Sequence, residues 1–266
     1  MEVRPFLRRV GARRLKGLGL PAWEFPLEKG NPGFPFSNLP IRLIEIINIF
    51  NRKPKTQNRK PYKGLAVVTG LGPDAARRAA QILFPIAPRL LVSLGFGGAL
   101  TSELAPGDLV LGESVWDFQP DTGVLAELPI PLPPRPLSGL IQELNLARLP
   151  AVSGSLVTTP YIIHKKEQGK PLNHLSRPVV DLETGVWAQV AAAQGLGFLG
   201  LRAITDTASE EMPGFIKTAQ GTLGEALGWL ARDPTRIWTL IHLWRRSRLA
   251  ARRLGAAMAV LLPLVT

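Results

Sequence analysis

The sequence has no cysteine and only three histidines in 266 residues. The lack of cysteine excludes disulfides and thiolate-bound zinc, and it fits a reducing compartment. The three histidines, His164, His174 and His242, do not have the i, i+4 spacing of a helical zinc site. We therefore expect neither a structural nor a catalytic metal, and no resident cofactor.

Long hydrophobic runs are absent as well. The apolar C-terminal segment, residues 254–266, is shorter than the roughly 20 residues that cross a bilayer as a helix. It is therefore expected either to dip into a membrane interface or to cap the core. The N-terminal segment contains arginines but no continuous apolar stretch, so it lacks the pattern of a secretory signal. These absences favour a cytoplasmic protein.

Acidic residues are scarce relative to basic ones. The chain has 20 acidic residues against 32 lysines and arginines, a formal net charge of +12, and the excess lies mainly at the two ends. Such a charge implies an anionic partner, either nucleic acid or lipid headgroups. No RNA-binding signature and no basic region with heptads accompanies it, so we expect no nucleic-acid partner. An anionic membrane surface is favoured, with the protein peripheral on the inner membrane.

The C-terminal segment carries the strongest membrane signal. Asp233-Pro234 marks the start of a helix in which apolar residues recur at helical spacing and arginines lie among them. The apolar set is Ile237, Leu240, Ile241, Trp244 and Leu249, and the basic set is Arg245, Arg246, Arg248, Arg252 and Arg253. A basic amphipathic helix with a tryptophan binds an anionic bilayer readily. The alternative is a helix that packs on the domain with a solvated basic face.

The length and the 45% hydrophobic content allow one full α/β core with tails. Residues 1–62 are predicted to be an irregular, basic, Pro/Gly-rich extension with one candidate regular element at 41–50. Residues 63–232 form the predicted catalytic domain, and residues 233–266 form the basic helix with its apolar tail. Strands are predicted at 65–69, 90–93, 109–111, 154–157 and 198–204, helices at 75–83, 187–194 and 225–230, and a surface loop at 128–136. Apolar strands that alternate with helices indicate a sheet covered on both faces.

Three carboxylates lie where predicted strands end. Asp181 and Glu183 occur in residues 179–185 (VVDLETG), and Asp206 occurs in residues 201–208 (LRAITDTA). An ionised carboxylate is costly to desolvate unless a partner or ligand uses it. Upstream, residues 93–98 (SLGFGG) form a glycine-rich turn, whose backbone N–H groups can approach a sugar, water or phosphate closely. Capping and turn roles are the alternative for each acid taken alone.

These three segments, in this order, resemble the purine nucleoside phosphorylase and nucleosidase superfamily over about residues 64–212. The resemblance implies a three-layer α/β fold of the nucleoside phosphorylase type, with a central mixed, mostly parallel twisted sheet flanked by helices. It implies an enzyme that cleaves the N-glycosidic bond of a purine nucleoside, and a homo-oligomer. By the same resemblance, Glu183 binds the ribose hydroxyls and Asp206 protonates the departing base.

The resemblance also implies a set of substrate-binding residues. These are Ser93, Gly95, Gly97 and Gly98 of the glycine-rich turn, Tyr161 and Ile162 with Ile163 around the purine, and Leu182 and Thr205 beside the two acids. For Tyr161 the alternative is a tyrosine of the core. Leu182 stands where methionine is usual and keeps an apolar contact under the sugar. Thr205 stands where serine is usual and keeps the hydroxyl.

Two departures from the family pattern leave alternatives open. The arginines of phosphorolytic members are not matched, so the nucleophile is water or phosphate, the latter as a co-substrate. No clean counterpart of the first family strand, which ends in a Glu or His, precedes Lys63; Glu24 and Glu45 are candidates.

The arginine-rich C-terminal helix is similar to that of the hopanoid-associated phosphorylase branch, which releases adenine from adenosylhopane. Two other functions remain open at this stage. One is a nucleosidase or phosphorylase for small nucleosides such as methylthioadenosine and S-adenosylhomocysteine. The other is an inactive membrane-binding relative that lacks the first strand.

Overall fold

The computed structural model describes residues 13–15, 20–26, 46–51, 63–83, 89–212, 233 and 237–265. The strands in this part of the chain form a single ten-stranded sheet. They are β1 (Arg13–Leu15), β2 (Ala22–Pro26), β3 (Ile46–Asn51), β4 (Lys63–Val68), β5 (Leu90–Ala99), β6 (Leu109–Gln119), β7 (Val124–Leu128), β8 (Ala151–Thr158), β9 (Val179–Asp181) and β10 (Gly197–Asp206).

Helices cover both faces of this sheet. They are α1 (Pro73–Leu83), α2 (Leu137–Leu146), α3 (Lys165–Gln168), α4 (Thr184–Gln194) and α5 (Ile237–Val265), with a 3₁₀ turn at Lys170–Leu172. Alternate residues of β5 point to opposite faces, as a strand requires: Leu91 packs with α1 and α4, whereas Val92 packs with α2 and α5. The predicted three-layer α/β fold with a mixed central sheet is therefore confirmed.

The sheet is less parallel than predicted. The order along the sheet is β1-β2-β4-β3-β5-β10-β6-β8-β9, with β7 paired to β6. Among the pairings of the described strands, β5–β10, β6–β8 and β8–β9 are parallel and the other seven are antiparallel. The prediction of a mostly parallel sheet is wrong because it considered only the strands that alternate with helices. The N-terminal strands and the β6–β7 hairpin add antiparallel pairs.

The N-terminal segment that was predicted to be irregular contributes three strands. β3 overlaps the candidate element at 41–50 and lies between β4 and β5, antiparallel to both. β1 and β2 extend the sheet beyond β4. These strands are short and lie among prolines and glycines, so their apolar residues give no sustained periodicity. The predicted division at residue 62 therefore does not coincide with an edge of the sheet.

The elements predicted from residue 64 onward agree with the structure. Each predicted strand falls within or next to β4, β5, β6, β8 or β10, and the predicted helices at 75–83 and 187–194 lie within α1 and α4. Residues 129–136 have no helix or strand, as expected for a loop, but Val124–Leu128 forms the strand β7 that the sequence did not suggest. The predicted helix at 225–230 and residue Glu45 lie outside the described residues.

The helix α5 has two different halves. Its N-terminal half exposes Trp238, Trp244 and Leu249, while Leu254, Met258 and Leu261 of its C-terminal half are buried against the sheet. Of the two expectations for the apolar tail, capping the core is therefore the one observed. None of the helices in the described part of the chain has the length and hydropathy that a membrane span requires.

Candidate active site

A cleft lies at the carboxyl ends of the parallel neighbours β5 and β10. Its volume, including the mouth, is about 600 Å³. Gly97 and Gly98 come from β5, Thr205 and Asp206 from β10, and Glu183 from the connection between β9 and α4. The remaining lining residues are Leu71, Phe96, Thr159, Ile162, Ile163, Lys165, Val180, Asp181, Leu182 and Met212. Open α/β sheets bind ligands at this end of their parallel strands.

Asp206 ends β10 next to an irregularity in the sheet. The pairing of β10 with β5 shifts register between Ile204 and Asp206, where Asp206 aligns with Gly98. Successive residues of a regular strand face opposite sides, but a bulge re-aims a side chain, and Thr205 and Asp206 both line the cleft. The Thr205 hydroxyl donates to Asp206 Oδ1 at 2.7 Å. The bulge therefore brings a hydroxyl and a carboxylate to the same side.

The glycine at position 98 makes room for this carboxylate. A Cβ atom on Gly98 would lie 2.7 Å from Asp206 Oδ2 and 3.0 Å from Lys165 Nζ. The first distance is shorter than a carbon–oxygen contact permits, so only glycine lets β5 pass this close to Asp206.

Glu183 approaches the cleft from the turn before α4. It is 6% exposed, and its Oε1 accepts a hydrogen bond of 2.5 Å from the backbone N–H of Gly72. Gly72 lies in the turn between β4 and α1 with φ = +91°, a conformation that favours glycine. Glu183 also occupies the N-cap position of α4, where its side chain makes no capping hydrogen bond but the N-terminal dipole of the helix favours its negative charge. The glycine-dependent turn at Gly72 and the N-terminus of α4 therefore set the position of this carboxylate.

Asp181, the third strand-end acid, belongs to a buried ion pair beneath the cleft. Its Oδ2 accepts a 2.6 Å hydrogen bond from Arg202 Nε, and the two side chains are 1% and 0% exposed. Its Oδ1 also accepts from the Thr158 hydroxyl at 2.8 Å and from the backbone N–H groups of Glu183 and Thr184 at 3.3 Å. Asp181 therefore fixes the turn that presents Glu183.

Residues 207–212 follow Asp206 and are hydrogen-bonded to α3 and α5. Arg246 of α5 donates to both carboxylate oxygens of Glu210. Burial acts to raise the pKa of Glu210, but hydrogen bonds from Arg246 and from the N–H and hydroxyl of Thr207 outweigh it and lower the pKa to about 2. Glu211 accepts from the backbone N–H groups of Lys165 and Lys166 at the start of α3.

A second cavity of about 920 Å³ lies between this segment and α5. It shares Thr205, Asp206 and Met212 with the cleft, and α5 contributes Trp238 and His242 to its lining. Asp206 therefore lines both cavities.

Most of the residues that the sequence indicated lie in the cleft. Those that line it are Gly97, Gly98, Ile162, Leu182, Glu183, Thr205 and Asp206. Ser93, Gly95 and Tyr161 do not. Ser93 is fully buried, and its hydroxyl accepts a 2.9 Å hydrogen bond from Arg202 Nη2, while Gly95 lies over the same guanidinium. Ser93 and Gly95 lie on the same face of β5 as Gly97 but earlier in the strand, where the buried Arg202 packs against that face.

The side chain of Tyr161 points toward a neighbouring loop. Its hydroxyl donates to Asp121 Oδ1 at 2.5 Å and accepts from Gln168 Nε2 at 3.3 Å. The hydrogen bond to the Asp121 carboxylate raises the pKa of Tyr161 above its ordinary value. Among the candidate front acids, Glu24 lies in β2 paired with Leu65 of β4 and does not line the cleft.

The sequence did not point to Lys165. Its ammonium forms a buried ion pair with Asp206 Oδ2 inside the cleft, and both side chains are at most 10% exposed. Nothing in the sequence separates it from Lys166, the next residue, which is exposed. The described residues contain no group of three or more potential ligands that could hold a metal ion.

Comparison with known proteins places the chain in a family. The model of the Phosphorylase superfamily matches residues 59–227. A 5′-methylthioadenosine/S-adenosylhomocysteine nucleosidase of Baumannia cicadellinicola subsp. Homalodisca coagulata is 29% identical over 161 residues, which are 55% of this chain and 69% of the relative.

Solved structures of proteins described by the same nucleosidase name share the fold. One from Francisella philomiragia has a TM-score of 0.59 at 12% identity and aligns over 98% of this chain and 93% of its own. One from Campylobacter jejuni has a TM-score of 0.53 at 12% identity, over 90% and 93%. Because the family model matches more than half of the sequence, including the segments that build the cleft, the chain belongs to the Phosphorylase superfamily.

Proposed function

We propose that this protein cleaves the N-glycosidic bond of a purine nucleoside in the cleft between Glu183 and Asp206. Its family makes it an enzyme of the nucleoside phosphorylase and nucleosidase type. The observation that carries the assignment of the site is that two carboxylates from different segments, each at most 7% exposed, line one cleft at the strand ends. Charged groups are rarely buried without a partner or a use.

The chemistry needs two electrostatic roles, and the two acids supply them. As the bond between C1′ and the base breaks, positive charge develops on the ribose and negative charge on the purine. Glu183 accepts from the ribose hydroxyls and stabilises the positive charge. Asp206 delivers a proton to the purine, so the base leaves as a neutral molecule. Apolar residues around them, including Phe96 and Leu182, exclude water from the base and sugar.

The proposed substrate is adenosylhopane, from which the enzyme releases adenine. This finer proposal rests on the similarity of the C-terminal helix to the hopanoid-associated branch and on the surface of α5. Trp238 and Trp244 are 64% and 46% exposed, and Arg248 lies 4.6 Å from the ring of Trp244. Exposed tryptophans among arginines suit the interface of an anionic bilayer, where a triterpenoid substrate resides. The second cavity supports this proposal because residues of α5 and Asp206 both line it.

A nucleosidase for methylthioadenosine or S-adenosylhomocysteine is the second candidate, favoured by the names of the similar proteins. The test is purine release by the purified protein from adenosylhopane in detergent and from methylthioadenosine, each with and without phosphate. Release from the lipid substrate supports the proposal, and release only from the small nucleoside supports the second candidate. Dependence on phosphate identifies the nucleophile. No release from either would support the inactive relative.

Membrane binding has its own test, flotation with phosphatidylglycerol vesicles. Each arginine near an anionic surface contributes about 1 kcal/mol, so replacing Arg245 and Arg252, both exposed on α5, by glutamine weakens binding roughly 30-fold. The matched control replaces Arg89 and Arg135, which are exposed outside α5. Equal losses in the two double variants would show that net charge, and not α5, governs the binding.

A further inference from the structure

The ammonium group of the buried Lys165 makes its hydrogen bonds to Asp206 and to the adjacent Thr207. Lys165 is 7% exposed, and its Nζ donates to Asp206 Oδ2, to the Asp206 carbonyl oxygen at 3.3 Å and to the Thr207 carbonyl oxygen at 2.8 Å. An ammonium has three N–H groups, and these acceptors use all of them. Lys165 therefore has no remaining hydrogen for a base, and it can act on one only through Asp206.

Asp206 in turn accepts hydrogen bonds at both oxygens. Oδ1 accepts from the Thr205 hydroxyl, and Oδ2 accepts from Lys165. In this arrangement both oxygens act as acceptors and neither offers an O–H to the purine, whereas the proposed role of Asp206 is to give the purine a proton. The proton must therefore reach Asp206 from a donor, and the one hydrogen-bonded to Oδ2 is the ammonium of Lys165.

We propose that Lys165 is the proton reservoir for Asp206, an inference that rests on the proposed function. As the C1′–N9 bond breaks, its electron pair stays with the purine, and the ring nitrogen N7 takes a proton from Asp206. Asp206 takes a proton from Lys165 Nζ, which becomes a neutral amine. The oxygen of water or phosphate forms the new bond to C1′. After the base leaves, Lys165 regains a proton from the attacking water or from solvent.

A purely structural or electrostatic role would need only a positive charge. Arginine would meet that need, because its guanidinium is cationic and makes strong hydrogen bonds to carboxylates. Arginine does not release a proton in proteins, however, so it cannot serve as a reservoir. The two roles therefore predict opposite results for Lys165→Arg.

The experiment compares Lys165→Arg and Lys165→Met with wild type in steady-state purine release, using the nucleoside that the wild type cleaves fastest. Because proton transfer contributes about 10²–10⁴-fold, we expect both variants to lose at least about 30-fold in kcat, with arginine no better than methionine. Lys166→Arg and Lys166→Met are the matched controls, expected within about twofold of wild type because Lys166 is an exposed neighbour. A Lys165→Arg variant within about threefold of wild type would overturn the proposal.

A second substrate separates proton supply from structural damage. 4-Nitrophenolate leaves without protonation, so the loss of both Lys165 variants should be at least about tenfold smaller on 4-nitrophenyl riboside than on the purine nucleoside. Equal losses on the two substrates would overturn the proposal that Lys165 supplies the proton to Asp206. If Lys165→Met does not fold by circular dichroism, the arginine variant alone carries this comparison.

Asp206→Asn, assayed beside these variants, separates this inference from the proposed function. An inactive Asp206→Asn with an active Lys165→Arg overturns only the role of Lys165. Retained purine release by Asp206→Asn overturns the proposed function as well, as does a wild type that releases no purine.

Discussion

Replacing Arg202 by methionine should destabilise the protein strongly while leaving its surface unchanged. The guanidinium is fully buried. It donates to Asp181 and to the hydroxyl of Ser93, which lies 109 positions away in the sequence. Methionine fills a similar volume but leaves the Asp181 carboxylate without its cation. The remaining donors to Asp181 are neutral, namely hydroxyls and the backbone N–H groups of Glu183 and Thr184.

The size of the effect follows from this burial. Breaking a buried ion pair by removing one partner costs about 3–5 kcal/mol, because the other charge stays buried and uncompensated. For a domain of this size, 1 kcal/mol lowers the melting temperature by about 2–4 °C, so Arg202→Met should lower it by about 6–20 °C. Adding Asp181→Asn removes the buried charge that Arg202→Met leaves unpaired. The double variant should therefore lose less stability than the sum of the losses of the two single variants.

Urea unfolding followed by circular dichroism measures these losses. The matched control is Arg77→Met, which breaks the exposed pair with Asp74 on α1, whose side chains are 62% and 80% exposed. Exposed helical pairs contribute only about 0.3–0.5 kcal/mol. A loss for Arg202→Met as small as that of the control, below about 1 kcal/mol, would refute the reasoning.

Three further changes test the geometry of the cleft and of residues 207–212, which follow Asp206. Gly98→Ala places a Cβ 2.7 Å from Asp206 Oδ2 and should reduce kcat at least about tenfold, whereas Gly139→Ala, in open space on α2, should retain activity and gain about 0.5–1 kcal/mol of stability. Glu183→Gln removes a charged acceptor worth about 1.5–3 kcal/mol, so kcat/KM should fall about 10- to 150-fold; an unchanged value would argue against a contact with the ribose. The pKa of Glu210 is lowered from 4.5 to about 2 in the folded state, so its contribution to the free energy of unfolding is present above about pH 4.5 and declines as the pH falls toward 2. The stability difference between wild type and Glu210→Gln, from urea titrations, should therefore shrink between about pH 5 and pH 3, and a constant difference would contradict the assignment.

The parts of the fold that local pattern determines could be predicted from the sequence. Buried strands such as β5 and β10 are continuous apolar runs, and α1 and α4, which precede them in the chain, have helical spacing. β1 and β2 were not predicted, and β3 was predicted only as a regular element of unspecified type at 41–50, because a short strand among prolines is defined by the neighbour it pairs with. β7 was missed for the same reason: most of its residues are exposed, and its pairing with β6 sets its conformation.

The residues of the site show the same difference between what one segment reveals and what only the fold brings together. That Glu183 and Asp206 line the cleft could be predicted, because a carboxylate at a strand end is visible in one segment and the resemblance gave the segments an order. The partners of these acids could not, because Gly72 lies 111 positions from Glu183 and Lys165 lies 41 positions from Asp206. Ser93 shows the converse error, since a polar residue in the right segment faces the buried Arg202 and not the cleft.

The most direct test of the central claim is the rate of purine release by wild type and by Asp206→Asn under identical conditions. Asparagine keeps the size of the side chain but cannot deliver a proton, so the account predicts a loss of kcat on the order of a hundredfold or more, with Glu183 still binding the ribose. A loss smaller than about tenfold, from a variant that folds like the wild type, would contradict the assignment of Asp206 as the acid that activates the purine.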